Sequence, residues 1–119
     1  MQPKEKTRII GLDHKALIQV TGRVIDIKEY MTSDKQTAQC FLLKPVFVHK
    51  YEKYMDHVWC SFLKESNPLR AKDFQNVKID DVITIEGFSQ KYDRKKTEDV
   101  DYSLRRIFLK ENHGNEYVY

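Results

Sequence analysis

Ala16-Leu17-Ile18-Gln19-Val20-Thr21-Gly22-Arg23-Val24-Ile25-Asp26-Ile27 is the stretch on which the fold turns. It is rich in β-branched residues, alternates in part between apolar and polar, and carries Gly22 at its centre. β-branched side chains pack well on a pleated surface, and an isolated glycine inside such a run marks a bend or bulge. The segment predicts a first strand, bent near its middle.

Downstream, Tyr30 to Thr37 is polar, with Thr32, Ser33 and Asp34 as turn formers, and reads as a connecting loop. Ala38 to Tyr51 is a second extended stretch. Pro45 interrupts it, and since proline donates no ladder hydrogen bond it predicts a bulge or an edge position. A turn near Glu52 and Lys53 leads to a third strand, Tyr54 to Leu63. Asn67-Pro68 is a helix start, with Leu69, Phe74 and Val77 as the expected buried stripe. Asp80-Asp81 then introduces a fourth strand, Val82 to Phe88, and Tyr102 to Leu109 supplies a fifth. The order is β-β-β-α-β-β, an all-β chain with one short helix and no internal repeat.

The 119 residues are enough for one core and offer no second. The expected division is an N-terminal extension over 1–14, one domain over 15–112 and a C-terminal tail over 113–119; Glu111 to Tyr119 reads as mobile, with Tyr117, Val118 and Tyr119 docking on a neighbour as the alternative. No apolar run approaches the ~18 residues of a membrane span, and the start, Met1 to Lys6, does not read as a signal peptide, so a cytoplasmic protein without a membrane partner is expected. Cys40 and Cys60 each lie in an apolar stretch and read as buried reduced thiols ahead of a disulfide. A net charge of +3 is a weak attraction for polyanions, so any useful positive field must come from local clusters.

Val20-Thr21-Gly22-Arg23-Val24, Val58-Trp59-Cys60, Lys78-Ile79-Asp80-Asp81-Val82-Ile83-Thr84-Ile85-Glu86-Gly87 and Leu104-Arg105-Arg106-Ile107 together resemble the oligonucleotide/oligosaccharide-binding (OB) fold. More loosely, they resemble bacterial single-stranded-DNA-binding proteins. The resemblance covers roughly residues 15 to 112 and implies a five-stranded Greek-key OB-type barrel. It departs at Asp80, where those proteins commonly carry glycine, which asks for a different turn type. The implied function is binding, and OB domains bind proteins and sugars as well as nucleic acid.

A ligand on such a barrel crosses strands two and three, flanked by the loops joining strands one to two and four to five. On strand three, Val58, Cys60 and Phe62 alternate with His57, Trp59 and Ser61, which assigns Trp59 to the outer face. On strand two, Ala38, Cys40 and Leu42 are assigned inward, leaving Phe41 outward. Phe41 and Trp59 then form the candidate stacking platform; the alternative reading puts both in the core. Phe47, His49, Tyr51 and Tyr54 extend the set past Pro45, where the register is open. Lys28, Lys44 and Lys64 are the candidate phosphate contacts. The cluster Lys91, Tyr92, Arg94, Lys95 and Lys96 interleaves an aromatic with cations in the last loop, although three carboxylates follow it at once. Alternation on strand five allows at most one of Arg105 and Arg106 to share the ligand face.

Catalytic signals are few. His14, His49, His57 and His113 are scattered, no metal-finger spacing occurs, and neither a metal nor a cofactor is implied. The expectation is a non-catalytic module binding single-stranded nucleic acid, DNA ahead of RNA. Its other partners would be a second copy of itself or a replication or recombination protein. An adaptor or oligomerisation module anchored by Tyr51, Tyr54 and Trp59 is the alternative. An OB-barrel nuclease using Asp26, Glu29, Asp80 and Asp81 is the weaker one.

Overall fold

The computed structural model describes residues 16–93 and 100–119, with 91–93 and 100–102 given by backbone alone. Strand β1 (Leu17–Met31) is the seam of a barrel. It pairs antiparallel with β5 (Val82–Asp93) from Leu17 opposite Phe88 to Arg23 opposite Val82, and with β2 (Thr37–Val48) from Val20 opposite Val48 to Met31 opposite Thr37. β5 pairs with β6 (Val100–Gly114), β6 runs parallel to β4 (Val58–Leu63), and β4 pairs with β2. Five strands therefore close in a ring, and a short β3 (Lys53–Met55) hangs outside it on β2. The ring is the expected OB-type barrel.

Bulges let the long strands bend around so small a core, and two of the register shifts fall at glycines. Between Gly22 and Val24 the register with β2 shifts. A Cβ on Gly22 would lie 2.8 Å from the Leu43 Cβ and 3.1 Å from the Pro45 carbonyl oxygen, so the close approach requires glycine. Between Glu86 and Phe88 the register with β6 shifts in the same way, and a Cβ on Gly87 would meet Ile107 Cγ2 at 2.8 Å.

The core takes Ile18, Val20 and Val24 from β1, Phe41, Leu43, Val46 and Val48 from β2, and Val58, Cys60 and Phe62 from β4. Helix α1 (Pro68–Phe74) closes one end, with proline in its first turn as the sequence predicts. Phe74 stacks on Phe41 at 5.1 Å and on Phe62 at 5.0 Å between ring centroids. Each such fully buried ring contributes roughly 1.5–3 kcal/mol.

Several expectations are corrected. Phe41 is 2% exposed and lies inside, because its cross-strand partner is Cys60 and that of Leu43 is Val58. Leu42, opposite Trp59, takes the outer face instead. Leu69 is 78% exposed, leaving Phe74 and Val77 as the buried stripe of the helical region. The third strand divides at Asp56-His57 into β3 and β4. β1 runs on through Tyr30 and Met31 because these pair with Ala38 and Thr37, which shortens the loop to Thr32–Gln36. β6 reaches Gly114, and the segment after it folds back onto the barrel. The Arg23 amide donates to the Tyr119 hydroxyl oxygen at 3.0 Å, and that hydroxyl donates to the Pro45 carbonyl at 2.6 Å. The expected mobile tail is thus a held strap.

Candidate nucleic-acid interface

β4 lies between β2 and β6, so its outward side chains form the floor of whatever its neighbours wall in. In that register Ser61 lies between Cys40 of β2 and Arg105 of β6, and Trp59 between Leu42 and Ser103. β1 adds Lys28 opposite Cys40, and Tyr30 two residues on. The result is a groove of about 350 Å³ lined by Lys28, Tyr30, Cys40, Trp59, Ser61 and Arg105, with Ser103 and Cys60 at its base.

Its electrostatics follow from the two cations on its opposite walls. The Lys28 ammonium lies 5.3 Å from the Trp59 ring centroid, within cation–π range, and 3.6 Å from Asp26. Burial pushes the Cys40 thiol pKa up, and the charges of Arg105 and then Lys28 pull it back in part. Both cations therefore act on the groove floor. The Cys60 thiol is pushed up, by burial first and then by the neighbouring Cys40. Ser103 is 7% exposed, and its hydroxyl has no hydrogen-bond partner among the described residues. The groove thus combines a partly exposed aromatic ring, two cations and an unsatisfied hydroxyl. Those are the groups that stack a base, neutralise a phosphate and bond a base edge.

The other predicted site residues do not all gather there. Phe41 is excluded by its burial. Phe47 and Tyr54 lie 5.0 Å apart beyond the bulge at Lys44-Pro45, with His49 5.4 Å from Phe47. Tyr119 is 6.5 Å from Tyr54, and Tyr117 stacks on His113 at 4.0 Å. This second patch is crossed by a run of hydrogen bonds. Thr21 Oγ1 lies 2.7 Å from His49 Nε2 and 2.7 Å from Thr84 Oγ1, which lies 2.8 Å from His113 Nε2. Tyr51 instead packs against the core, under the Lys50 ammonium.

Lys44 is 3.9 Å from Asp56 and Lys64 is 3.2 Å from Glu29, so both are already paired at the surface. Lys91 and Tyr92 pair through their backbone with Tyr102 and Asp101. The side chains of Lys91 and Tyr92, and all of Arg94, Lys95 and Lys96, lie outside the described residues, as does the expected extension over 1–14. Arg105 and Arg106 are both exposed, because the bulge opposite Gly87 breaks the alternation that would have separated them. The carboxylates considered for a nuclease are not gathered: Asp26 faces Lys28, Glu29 faces Lys64, and Asp81 accepts from the Lys78 amide and the Asn112 side chain. No cluster of three or more metal-binding side chains occurs among the described residues. No described helix is long and apolar enough to cross a membrane.

Sequence reading missed Tyr30, Ser103 and the place of Arg105 in the groove. Tyr30 fell in the expected loop. Ser103 and Arg105 meet Trp59 and Ser61 only through a parallel pairing of strands distant in sequence, for which no local signal exists.

No family model matches the chain, and no curated protein matches it by sequence. Solved structures do match it. A crystal structure of the mitochondrial single-stranded DNA binding protein Rim1 from S. cerevisiae (Form1) superposes with a TM-score of 0.56 at 14% identity, covering 82% of this chain and 98% of that one. A second form of Rim1 superposes with a TM-score of 0.53 at 11% identity, covering 85% and 98%. At such identities the likeness establishes a common fold.

Proposed function

We propose that this chain is a non-catalytic module that binds single-stranded nucleic acid, DNA ahead of RNA, along the groove floored by β4. The observation that carries the reading is a partly exposed Trp59 set between Lys28 and Arg105. A base stacked on such a ring gains about 1–3 kcal/mol, and each phosphate met by a lysine or arginine releases its counterion. Rim1, which shares the fold, is described as a single-stranded DNA binding protein. Two buried free thiols fit a reducing, cytoplasmic setting.

Trp59 is the one tryptophan of the chain, so its emission reports on the groove directly. Titration with single-stranded and duplex oligonucleotides at low and high salt is expected to quench it with the single strand alone, more weakly as salt rises. Trp59→Ala, checked for folding by thermal melting, is expected to lower affinity about tenfold in fluorescence anisotropy. No binding at low salt overturns the reading.

A protein-interaction or oligomerisation surface is the second reading, favoured by the patch of Phe47, Tyr54, Tyr117 and Tyr119 away from Trp59. It predicts a salt-insensitive complex, with a second copy or a replication or recombination protein, that Tyr54→Ser weakens in sedimentation.

A further inference from the structure

Past Arg105 the outer surface of β6 carries a second pairing of cation and aromatic ring. The guanidinium carbon of Arg70, on α1, lies 3.7 Å from the centroid of Phe108. Phe108, and Phe88 opposite Arg105 on β5, are each 38% exposed. At 3.3 Å per residue, Phe108 stands about 10 Å along the strand from Arg105.

Between them sits Arg106, with φ of 54°. It belongs to the bulge, where Glu86 faces Phe108 and Phe88 faces Arg105, so that Gly87 alone opposes Arg106 and Ile107. The left-handed conformation is unfavourable for any residue but glycine, and here an arginine holds it. Its effect is to turn Arg106 outward beside Arg105. Neither of these arginines, nor Arg70, has a carboxylate within ion-pair distance among the described residues. Burial first, and then the charge of Arg106, pull the Arg70 pKa down, so the two guanidinium groups share one neighbourhood. Backbone strain that collects unpaired positive charge beside exposed aromatic rings is what an anionic, base-bearing chain would compensate.

We propose that Arg70, Arg106 and Phe108, with Phe88 opposite Arg105 on the way to them, form a second subsite that carries single-stranded nucleic acid from the Trp59 groove onward around β6. The guanidinium–phenyl stack offers a flat cationic surface on which a base lies, and Arg106 meets the adjoining phosphate. Arg105 joins the two subsites into one path. The inference rests on the reading of the groove as the first subsite.

Oligothymidylates of about 4 and about 16 nucleotides separate the two subsites in the full chain, since the shorter fills only one. Arg106→Gly is the decisive variant because glycine suits the backbone there, so its melting temperature is expected at or above that of the parent. It is expected to bind the long oligonucleotide about five- to tenfold more weakly, with a salt slope shallower by about 1, and the short one as the parent does. Arg70→Gln is expected to behave likewise and decides the matter if Arg106→Gly fails to fold. Unchanged long-oligonucleotide affinity with Trp59 still quenched overturns the second subsite and leaves the groove reading standing. Equal losses for both lengths also overturn it. Absence of quenching in the parent by either length overturns both readings.

Discussion

Lys28 holds its ammonium 5.3 Å from the centroid of the Trp59 ring and 3.6 Å from the Asp26 carboxylate. Both partners are weak ones. Exposed ion pairs contribute about 0–1 kcal/mol, so a phosphate entering the groove can take the ammonium at little loss. Lys28→Gln is therefore expected to lower affinity for single strands about three- to tenfold at low salt and to reduce the log–log salt slope by about 1. Titrations across a series of salt concentrations measure both, and an unchanged slope would remove Lys28 from the interface.

Phe41 and Trp59 are expected to separate in stability. Truncating Phe41 to alanine empties the space between Phe74 and Cys60 and costs about 3–5 kcal/mol. Trp59→Ala removes a partly exposed ring and costs less. Urea denaturation of the two variants makes the comparison; equal losses would place Trp59 in the core.

Asp80 holds φ of 79° in the turn before β5, and its contacts to Val24 and Arg23 run through its backbone. Glycine keeps those contacts and relieves the left-handed strain. Asp80→Gly is expected to raise stability by up to about 1 kcal/mol, read as a higher urea midpoint at constant slope.

Ser103 and Ser89 are both buried, but only Ser89 is known to accept a bond, from the Ala16 amide at 3.1 Å. Ser89→Ala leaves that donor unpaired and is expected to destabilise by about 1–3 kcal/mol. Ser103→Ala removes an unsatisfied hydroxyl, so stability is expected to hold or rise while single-strand affinity falls. Calorimetry and anisotropy on the two variants check this, and a destabilised Ser103→Ala contradicts it.

Burial raises the pKa of the Cys60 thiol above its unfolded value, so the folded state keeps the proton that the unfolded chain gives up. The stability this contributes is fully present below the unfolded thiol pKa, and it is lost as pH rises above that value. Urea midpoints are expected to fall above pH of about 9, less so in Cys60→Ala. The same burial predicts that thiol reagents leave Cys60 untouched until the protein unfolds.

What could be read from the sequence and what could not divide along a physical line. Gly22 and Pro45 announced their bulge because each is a residue that a regular strand resists. Trp59 was placed outward because Val58, Cys60 and Phe62 around it are uniformly apolar. β2 defeats the same argument: Ala38, Cys40 and Leu42 are as apolar as Phe41 and Leu43, since groove walls cover its outer face as the core covers its inner one. With both sides shielded, alternation carries no sign, and the sequence alone points Phe41 outward where the structure buries it. The final strand hides its extent because Glu111 and Asn112 are polar residues ordered by pairing with Thr84 and Ile83, and His113 by its side-chain bond to Thr84.

The hydrogen-bonded run from His49 through Thr21 and Thr84 to His113 has three links and therefore needs three hydrogens. The two hydroxyls supply two of them, so one imidazole brings the third on Nε2 and the other presents a lone pair there. When His113 is neutral with its hydrogen on Nδ1, toward Glu111 at 3.3 Å, its Nε2 is the acceptor and His49 is the donor. In that state the two rings, at opposite ends of the patch and on different parts of the chain, hold opposite tautomers. Neither can exchange its own without every hydroxyl between them turning round.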